Sequence, residues 1–149
     1  MPFDDYGHGT HTAGLAASAF TGVAKKARIL PVKILDGIGT GDEASIYGGM
    51  LYALDEGAKV LSMSMSSSDR KYPEEQEVLA AGYREVLKEI SKKGAVLVTS
   101  AGNLEDNIDV NPVYPGSLAP EFSTVITVAA TKLNGQPASY TNFGAKSVT

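Results

Sequence analysis

The residues best equipped for chemistry in this chain are two histidines three apart, in His8-Gly9-Thr10-His11. Histidine is the side chain whose ordinary pKa lies near neutrality, so it can take up or release a proton under mild conditions. Glycines flank His8 on both sides, and the small, apolar run from Thr10 to Ala19 suits a buried helix that starts about here. The positive end of a helix disfavours imidazolium and leaves the neutral ring that a general base needs. Gly7 and Gly9 let a substrate backbone come close. For a histidine taken in isolation, capping a helix on a surface turn is the commoner role. His11 makes a His-x-x-His pair with His8, but a zinc peptidase helix wants glutamate directly after the first histidine, and Gly9 stands there. A buried, hydrogen-bonded His11 is expected, and no metal site.

A second candidate is Val98-Thr99-Ser100-Ala101-Gly102-Asn103, a strand running into a turn. An asparagine just past a strand's carboxyl end can aim its NH2 group at a developing oxyanion, and Gly102 leaves the adjacent space open for a substrate side chain. Asparagine is equally at home in an ordinary turn. A third candidate, Gly37-Ile38-Gly39-Thr40-Gly41, joins a strand to a helix as a nucleotide-binding loop does. Its third fingerprint glycine would fall at Asp42, and Asp42-Glu43 at the helix start would repel a pyrophosphate. Nucleotide binding is therefore set aside.

The elements that must carry these residues alternate. Arg28 to Leu35 reads as a strand, with Pro31 arguing for an edge or an irregular start. A helix follows from about Asp42 to Glu56, its acidic residues suited to the first turn and Gly57 closing it. Lys59 to Met63 is the next strand and Pro73 to Ser91 the longest helix, stopped by Gly94. Ala95 to Thr99 is the continuous apolar run of a buried parallel strand. Asn103 to Ser123 reads as loop, Val125 to Thr131 as a strand, and Gln136 to Gly144 as turn and short extended structure. Such alternation predicts the α/β class, a mostly parallel sheet flanked by helices in three layers. Chemistry is then expected at the carboxyl ends of the strands. No linker, repeat or low-complexity tract interrupts the chain, so one domain over 1–149 is the reading.

Composition agrees with a folded chain and narrows its partners. At 149 residues, with 43% hydrophobic and 20% charged residues, the chain is long enough to bury roughly two thirds of its unfolded surface. The net charge of -4 and scattered lysines and arginines offer no basic patch, so nucleic acid is not expected as a partner. No stretch reaches the roughly 18 apolar residues of a membrane helix, and no basic segment followed by an apolar run reads as a signal peptide. The absence of cysteine rules out disulfides and thiolate metal ligands within these residues.

Read as a collinear series, the motifs acquire a family. His8-Gly9-Thr10-His11-Thr12-Ala13-Gly14, then Val32-Lys33-Ile34-Leu35 with a Gly-x-Gly turn, Val60-Leu61-Ser62-Met63-Ser64 and Ala101-Gly102-Asn103 resemble the subtilisin-like serine proteases. The resemblance continues through Tyr114-Pro115-Gly116, Val125 to Ala130, and Ala138-Ser139-Tyr140-Thr141-Asn142-Phe143-Gly144. It implies that His8 is the general base and Asn103 the oxyanion-hole donor of a serine endopeptidase working through an acyl-enzyme. Gly39, Thr40 and Gly41 would pair with a substrate peptide on one side. Ser64, Met65 and Ser66 would pair on the other and wall the specificity pocket, opposite Ser100, Ala101 and Gly102. Peptide or protein is the implied substrate, held as an added strand.

Three departures from the family pattern shape the expectation. Ser64-Met65-Ser66-Ser67 stands where the family often has Ser-Leu-Gly-Gly, which puts side chains beside the pocket. The loop that holds a tight calcium in secreted members is missing after His11, so calcium is not carried over and no cofactor is expected. The family order is Asp, then His, then Ser. Only seven residues precede His8, with Asp4 and Asp5 on no strand, and no Gly-Thr-Ser-Met-Ala or Gly-x-Ser-x-Gly follows Gly144. These 149 residues are thus expected to be inactive alone, as an internal fragment of a longer enzyme. Open backbone edges beside Ile29–Ile34 and Lys59–Met63 would take a partner strand, from flanking segments or a second copy. A non-catalytic peptide-binding domain derived from the same fold is the alternative.

Overall fold

The computed structural model describes residues 3–67 and 72–149. The chain separates into two compact units, Met1–Ala58 and Lys59–Thr149.

In the first unit, helix α1 spans His8–Ala17 and helix α2 spans Glu43–Asp55. The start of α1 is held by Asp4. Its Oδ1 accepts from the backbone N–H of Gly7 at 2.7 Å, and its Oδ2 accepts from the N–H and hydroxyl of Thr10 at 2.8 and 2.6 Å. These bonds satisfy donors that the first helical turn cannot pair internally. No residue of α1 is buried and His11 is exposed, which corrects the expectation of a buried helix with an enclosed histidine. The cause is composition: apart from Leu15, itself 53% exposed, the helix carries small or polar side chains with little apolar area to withdraw from water.

The strand expected over Arg28–Leu35 does not form; residues 27–34 belong to neither helix nor ladder. Strand character needs a neighbour to accept and donate along the backbone, and this segment has no ladder partner among the described residues. Its two-residue alternation survives as packing. Val32 and Ile34 lie against Gly49 of α2, where a Cβ would sit 3.2 Å from Val32 Cγ1 and 2.3 Å from Ile34 Cγ2. Glycine at 49 is what lets the segment approach the helix. Glu43 occupies the first turn of α2, in line with the sequence, while Asp42, expected there too, instead caps the helix: its Oδ1 accepts from Ser45 N at 2.8 Å. Gly57 ends it in a left-handed conformation, φ 85°.

In the second unit, β1 (Val60–Met63), helix α3 (Pro73–Lys92), β2 (Val96–Ser100) and β3 (Val125–Val128) form a parallel sheet of order β1-β2-β3 with α3 in its first crossover. The register sets Leu61, Leu97 and Val125 in one row and Met63, Thr99 and Thr127 in the next. All six are buried; the intervening positions are exposed on β1 and β3, as at Val60, Ile126 and Val128, and half-buried on β2. One face of the sheet is thus core and the other open. Helix α3 supplies the matching stripe: Leu79, Ala80, Tyr83, Val86, Leu87 and Ile90 recur at three- and four-residue spacing and are all buried. Pro73 at its start, Glu74 and Glu75 in its first turn and Lys92 in its last agree with the helix dipole. The loop expected over Asn103–Ser123 contains one 3-10 turn, Gly116–Leu118, fastened to β3 by Thr127 Oγ1 donating to Gly116 O at 2.8 Å. The last strand stops at Val128, short of the expected Thr131, which instead makes an isolated antiparallel bridge with Pro137.

Two consequences can be measured. Leu97 is fully buried in the central strand, so Leu97→Ala should destabilise the protein by about 2–5 kcal/mol in chemical denaturation. Arg84 forks onto Glu121, with Nε 2.8 Å from Oε2 and Nη2 2.9 Å from Oε1, and this holds the Glu121 carboxyl below its ordinary pKa. A carboxylate lowered on folding contributes stability above its unfolded pKa and loses it as pH falls through the folded one. Glu121 is half exposed, so Arg84→Met should cost on the order of 1 kcal/mol or less near neutral pH. That cost should fade as pH drops below the carboxylate range and shrink in high salt, which unfolding curves across pH will show.

Candidate peptide-binding and catalytic site

In the first unit, His8 is the first residue of α1 and exposed, preceded by Gly7 in a left-handed conformation, φ 95°. Asp4 therefore has a structural place that sequence reasoning missed. Its carboxylate lies at the helix start that presents His8, and hydrogen bonds from the Thr10 hydroxyl and from the Gly7 and Thr10 amides hold its pKa far below the usual range. The signal was available as an aspartate just before a helix. Gly39 and Thr40 belong to a turn closed by Asp36, whose Oδ1 accepts from Thr40 N at 2.9 Å and whose Oδ2 accepts from the Thr40 hydroxyl at 2.9 Å. Gly39 is left-handed, φ 79°, and a Cβ there would strike the Tyr6 ring at 2.8 Å. Thr40 and Gly41 then lead into the Asp42 cap.

In the second unit, the carboxyl ends of all three strands open on a cavity of about 290 Å³. Among its lining residues are Ser64 beyond β1, Ser100 at the end of β2, and Gly102 and Asn103 in the turn that follows. Four of the residues singled out in the sequence are thereby brought together at the place where a parallel sheet exposes its strand ends. Val128, Ala129 and Ala130 close a third side that sequence reasoning did not assign. Among the described residues, no charged side chain lines the cavity.

Other sequence-derived residues support this wall from behind. Ala101 is buried, and its amide continues the sheet by donating to Val128 O at 2.9 Å. The Met65 carbonyl accepts from the Thr99 hydroxyl at 3.2 Å, which fixes the segment after β1 to β2. Ser66 Oγ lies 3.7 Å from where a Gly102 Cβ would stand. Ser67, in a position where the family pattern has glycine, turns its hydroxyl toward Tyr114: Oγ accepts from Tyr114 N at 2.9 Å, and Ser67 N donates to Tyr114 O at 2.8 Å.

Asn103 sits exposed in a turn with its neighbours tightly bound. Gly102 is left-handed, φ 99°, and its carbonyl accepts from Asn142 N at 3.0 Å. The Asn142 side chain is fully buried: Oδ1 accepts from Leu104 N at 2.7 Å and from Asp106 N at 3.1 Å, and Nδ2 donates to Ala101 O at 2.9 Å. Thr141 performs a similar office for the third wall, its hydroxyl accepting from Ala130 N at 2.8 Å. Among the described residues, no group of three or more histidine, aspartate or glutamate side chains is placed to hold a metal ion.

Comparison with known proteins identifies the family and fold. The subtilase family matches residues 2–148. Thermitase of Thermoactinomyces vulgaris is 34% identical over 149 residues, an alignment covering 96% of this chain and 48% of that protein. Subtilisin-like protease 3 of Pseudogymnoascus destructans is 36% identical, covering 95% of this chain and 33% of that protein. Among solved structures, a lanthipeptide protease superimposes with TM-score 0.74 at 27% identity, over 93% of this chain and 40% of its own. A cold-adapted subtilisin-like serine proteinase shares the fold with TM-score 0.77 at 23% identity, over 95% of this chain and 47% of its own. The chain thus spans half or less of the length of these relatives. With motifs in collinear order, strand ends gathered around one cavity and a family match over nearly its whole length, the chain belongs to the subtilase family.

Proposed function

We propose that this chain is the part of a serine endopeptidase that supplies the general base, His8, and the oxyanion-hole donor, Asn103. The observation that carries the reading is the convergence of Ser64, Ser100, Gly102 and Asn103 around one cavity at the strand ends. In this reading the cavity takes the side chain of the substrate residue preceding the scissile bond. Ser64–Ser66 and Gly39–Gly41 pair with the substrate backbone, as strands added at an edge. The described lining residues are uncharged, with hydroxyl groups from Ser62, Ser64 and Ser100, and this reading gives them an uncharged substrate side chain rather than an acidic or basic one. His8 takes the proton of a serine nucleophile and later returns it to the leaving amine, and Asn103 donates to the tetrahedral oxyanion. The serine and its orienting aspartate lie outside the sequence motifs of these 149 residues. Peptide or protein is the substrate class. No cofactor is proposed for this part of the enzyme.

The test has two arms. The 149-residue chain by itself should remain unlabelled by a fluorophosphonate serine probe, and labelling would contradict the assignment of the nucleophile to other segments. In a longer protease containing this segment, Asn103→Ala should lower kcat about 10²–10³-fold with little change in KM, the size of the corresponding loss in subtilisin itself. His8→Ala should lower it on the order of 10⁶-fold, again the figure for that enzyme. A longer protein that binds peptides through the cavity yet hydrolyses none, with or without these substitutions, would point to the peptide-binding domain instead.

A further inference from the structure

We infer that Asn142 is the positioning residue of the oxyanion loop: its buried amide sets the conformation of residues 101–106 and thereby the aim of Asn103. This rests on the reading of Asn103 as oxyanion donor.

The inference comes from how one side chain is used. The Asn142 carbonyl oxygen has two lone pairs and accepts two main-chain N–H groups, from Leu104 and Asp106; its NH2 donates to Ala101 O. The partners themselves fix which end is oxygen, because two donors converge on one atom and a carbonyl faces the other. The three bonded residues bracket Asn103 on both sides. A turn that reverses within so few residues cannot satisfy these groups through a strand ladder, and the amide replaces the missing ladder partner. The backbone around it is shaped to admit the amide. Gly102 is left-handed, and a Cβ there would stand 2.5 Å from Asn142 Nδ2. Glu105 takes a left-handed conformation, φ 55°, the one non-glycine residue to do so among those described.

The segment bearing Asn142 is itself held firmly. Phe143 N donates to Asp106 O at 2.9 Å, Ile108 N donates to Phe143 O at 2.8 Å, and Glu105 N donates to Tyr140 O at 3.1 Å. The side chain is therefore clamped from its own backbone, and the loop is clamped to it. Few residue types meet the demand. Aspartate keeps the acceptors but turns a buried carboxylate oxygen toward the Ala101 carbonyl, and leucine removes every bond.

The experiment is a double-mutant cycle in the longer protease, with Asn103→Ala, Asn142→Asp and their combination, followed by kcat and KM on a peptide substrate. Displacing a catalytic group by about 1 Å can cost on the order of 10²-fold, so Asn142→Asp alone should lower kcat ten- to a hundredfold with KM nearly unchanged. In the Asn103→Ala background the same substitution should lower kcat less than twofold, because the group it positions is gone. Multiplicative losses in the double variant would overturn the inference and leave the reading of Asn103 intact. An Asn103→Ala variant with unchanged kcat would overturn both. Should Asn142→Asp fail to fold, Asn142→Ser is the second variant, since it shortens the same buried side chain without entering the cavity; it should show the same non-additivity with Asn103→Ala, and additivity there would count against the inference.

Discussion

The second unit depends on the central place of β2. Val96–Ser100 is hydrogen-bonded in parallel to β1 on one side and β3 on the other, and it is the element that delivers Ser100, Ala101, Gly102 and Asn103 to one end of the sheet. Its buried positions, Leu97 and Thr99, share rows with residues of both neighbours, so a one-residue slip would turn the core row outward. The register is therefore fixed by burial, and with it the height at which the turn after Ser100 leaves the sheet. Helix α3 reinforces this by packing against β2, and its own apolar stripe is buried as the Leu61, Leu97 and Val125 row is.

A second constraint is the satisfaction of buried polar groups. Thr99, Thr127, Thr141 and Asn142 are all buried, and each ties a strand or its continuation to an irregular segment: Thr99 to Met65, Thr127 to Gly116, Thr141 to Ala130, Asn142 to the turn around Asn103. No buried side-chain nitrogen or oxygen among the described residues lacks a partner. Loops around a strand-end site cannot draw rigidity from a ladder, and side chains with paired donors and acceptors supply it instead. The low dielectric of the interior makes each such bond costly to break. The cavity walls are thus held by polar anchors on their buried side, and their other side faces the cavity.

Much of this was legible in the sequence, for identifiable reasons. The stops at Gly57 and Gly94 and the start at Pro73 are local chemistry and were readable as such, whereas Asp42, read into the first turn, is the cap one position before it. The apolar run of β2 and the stripe of α3 are periodic signals of adequate length. The segment Arg28–Leu35 was misread because its alternating pattern reports packing on one side, which Val32 and Ile34 do make against Gly49, but cannot report whether a neighbouring strand is present. The burial of α1 was misjudged because small residues permit close packing without requiring it. Ser64, Ser100, Gly102 and Asn103 were singled out through motif order, and the structure brings them to one cavity. Asn142 was visible only as one letter of a motif, since its bonds span about forty positions in sequence, and Val128–Ala130 line the cavity only because the strand register places them there.

The central claim is that the cavity at the strand ends seats a substrate side chain while Asn103 faces the reacting carbonyl. The most direct measurement is a structure of a longer protease containing this segment, with a peptide boronate or aldehyde bound as a tetrahedral mimic. The account predicts that the tetrahedral oxygen accepts from Asn103 Nδ2 at about 2.7–3.1 Å. It also predicts that the adjoining side chain lies between Ser64 and the Ser100–Gly102 segment, against Val128–Ala130. A mimic seated elsewhere, or an Asn103 amide turned away from the tetrahedral oxygen, would contradict it.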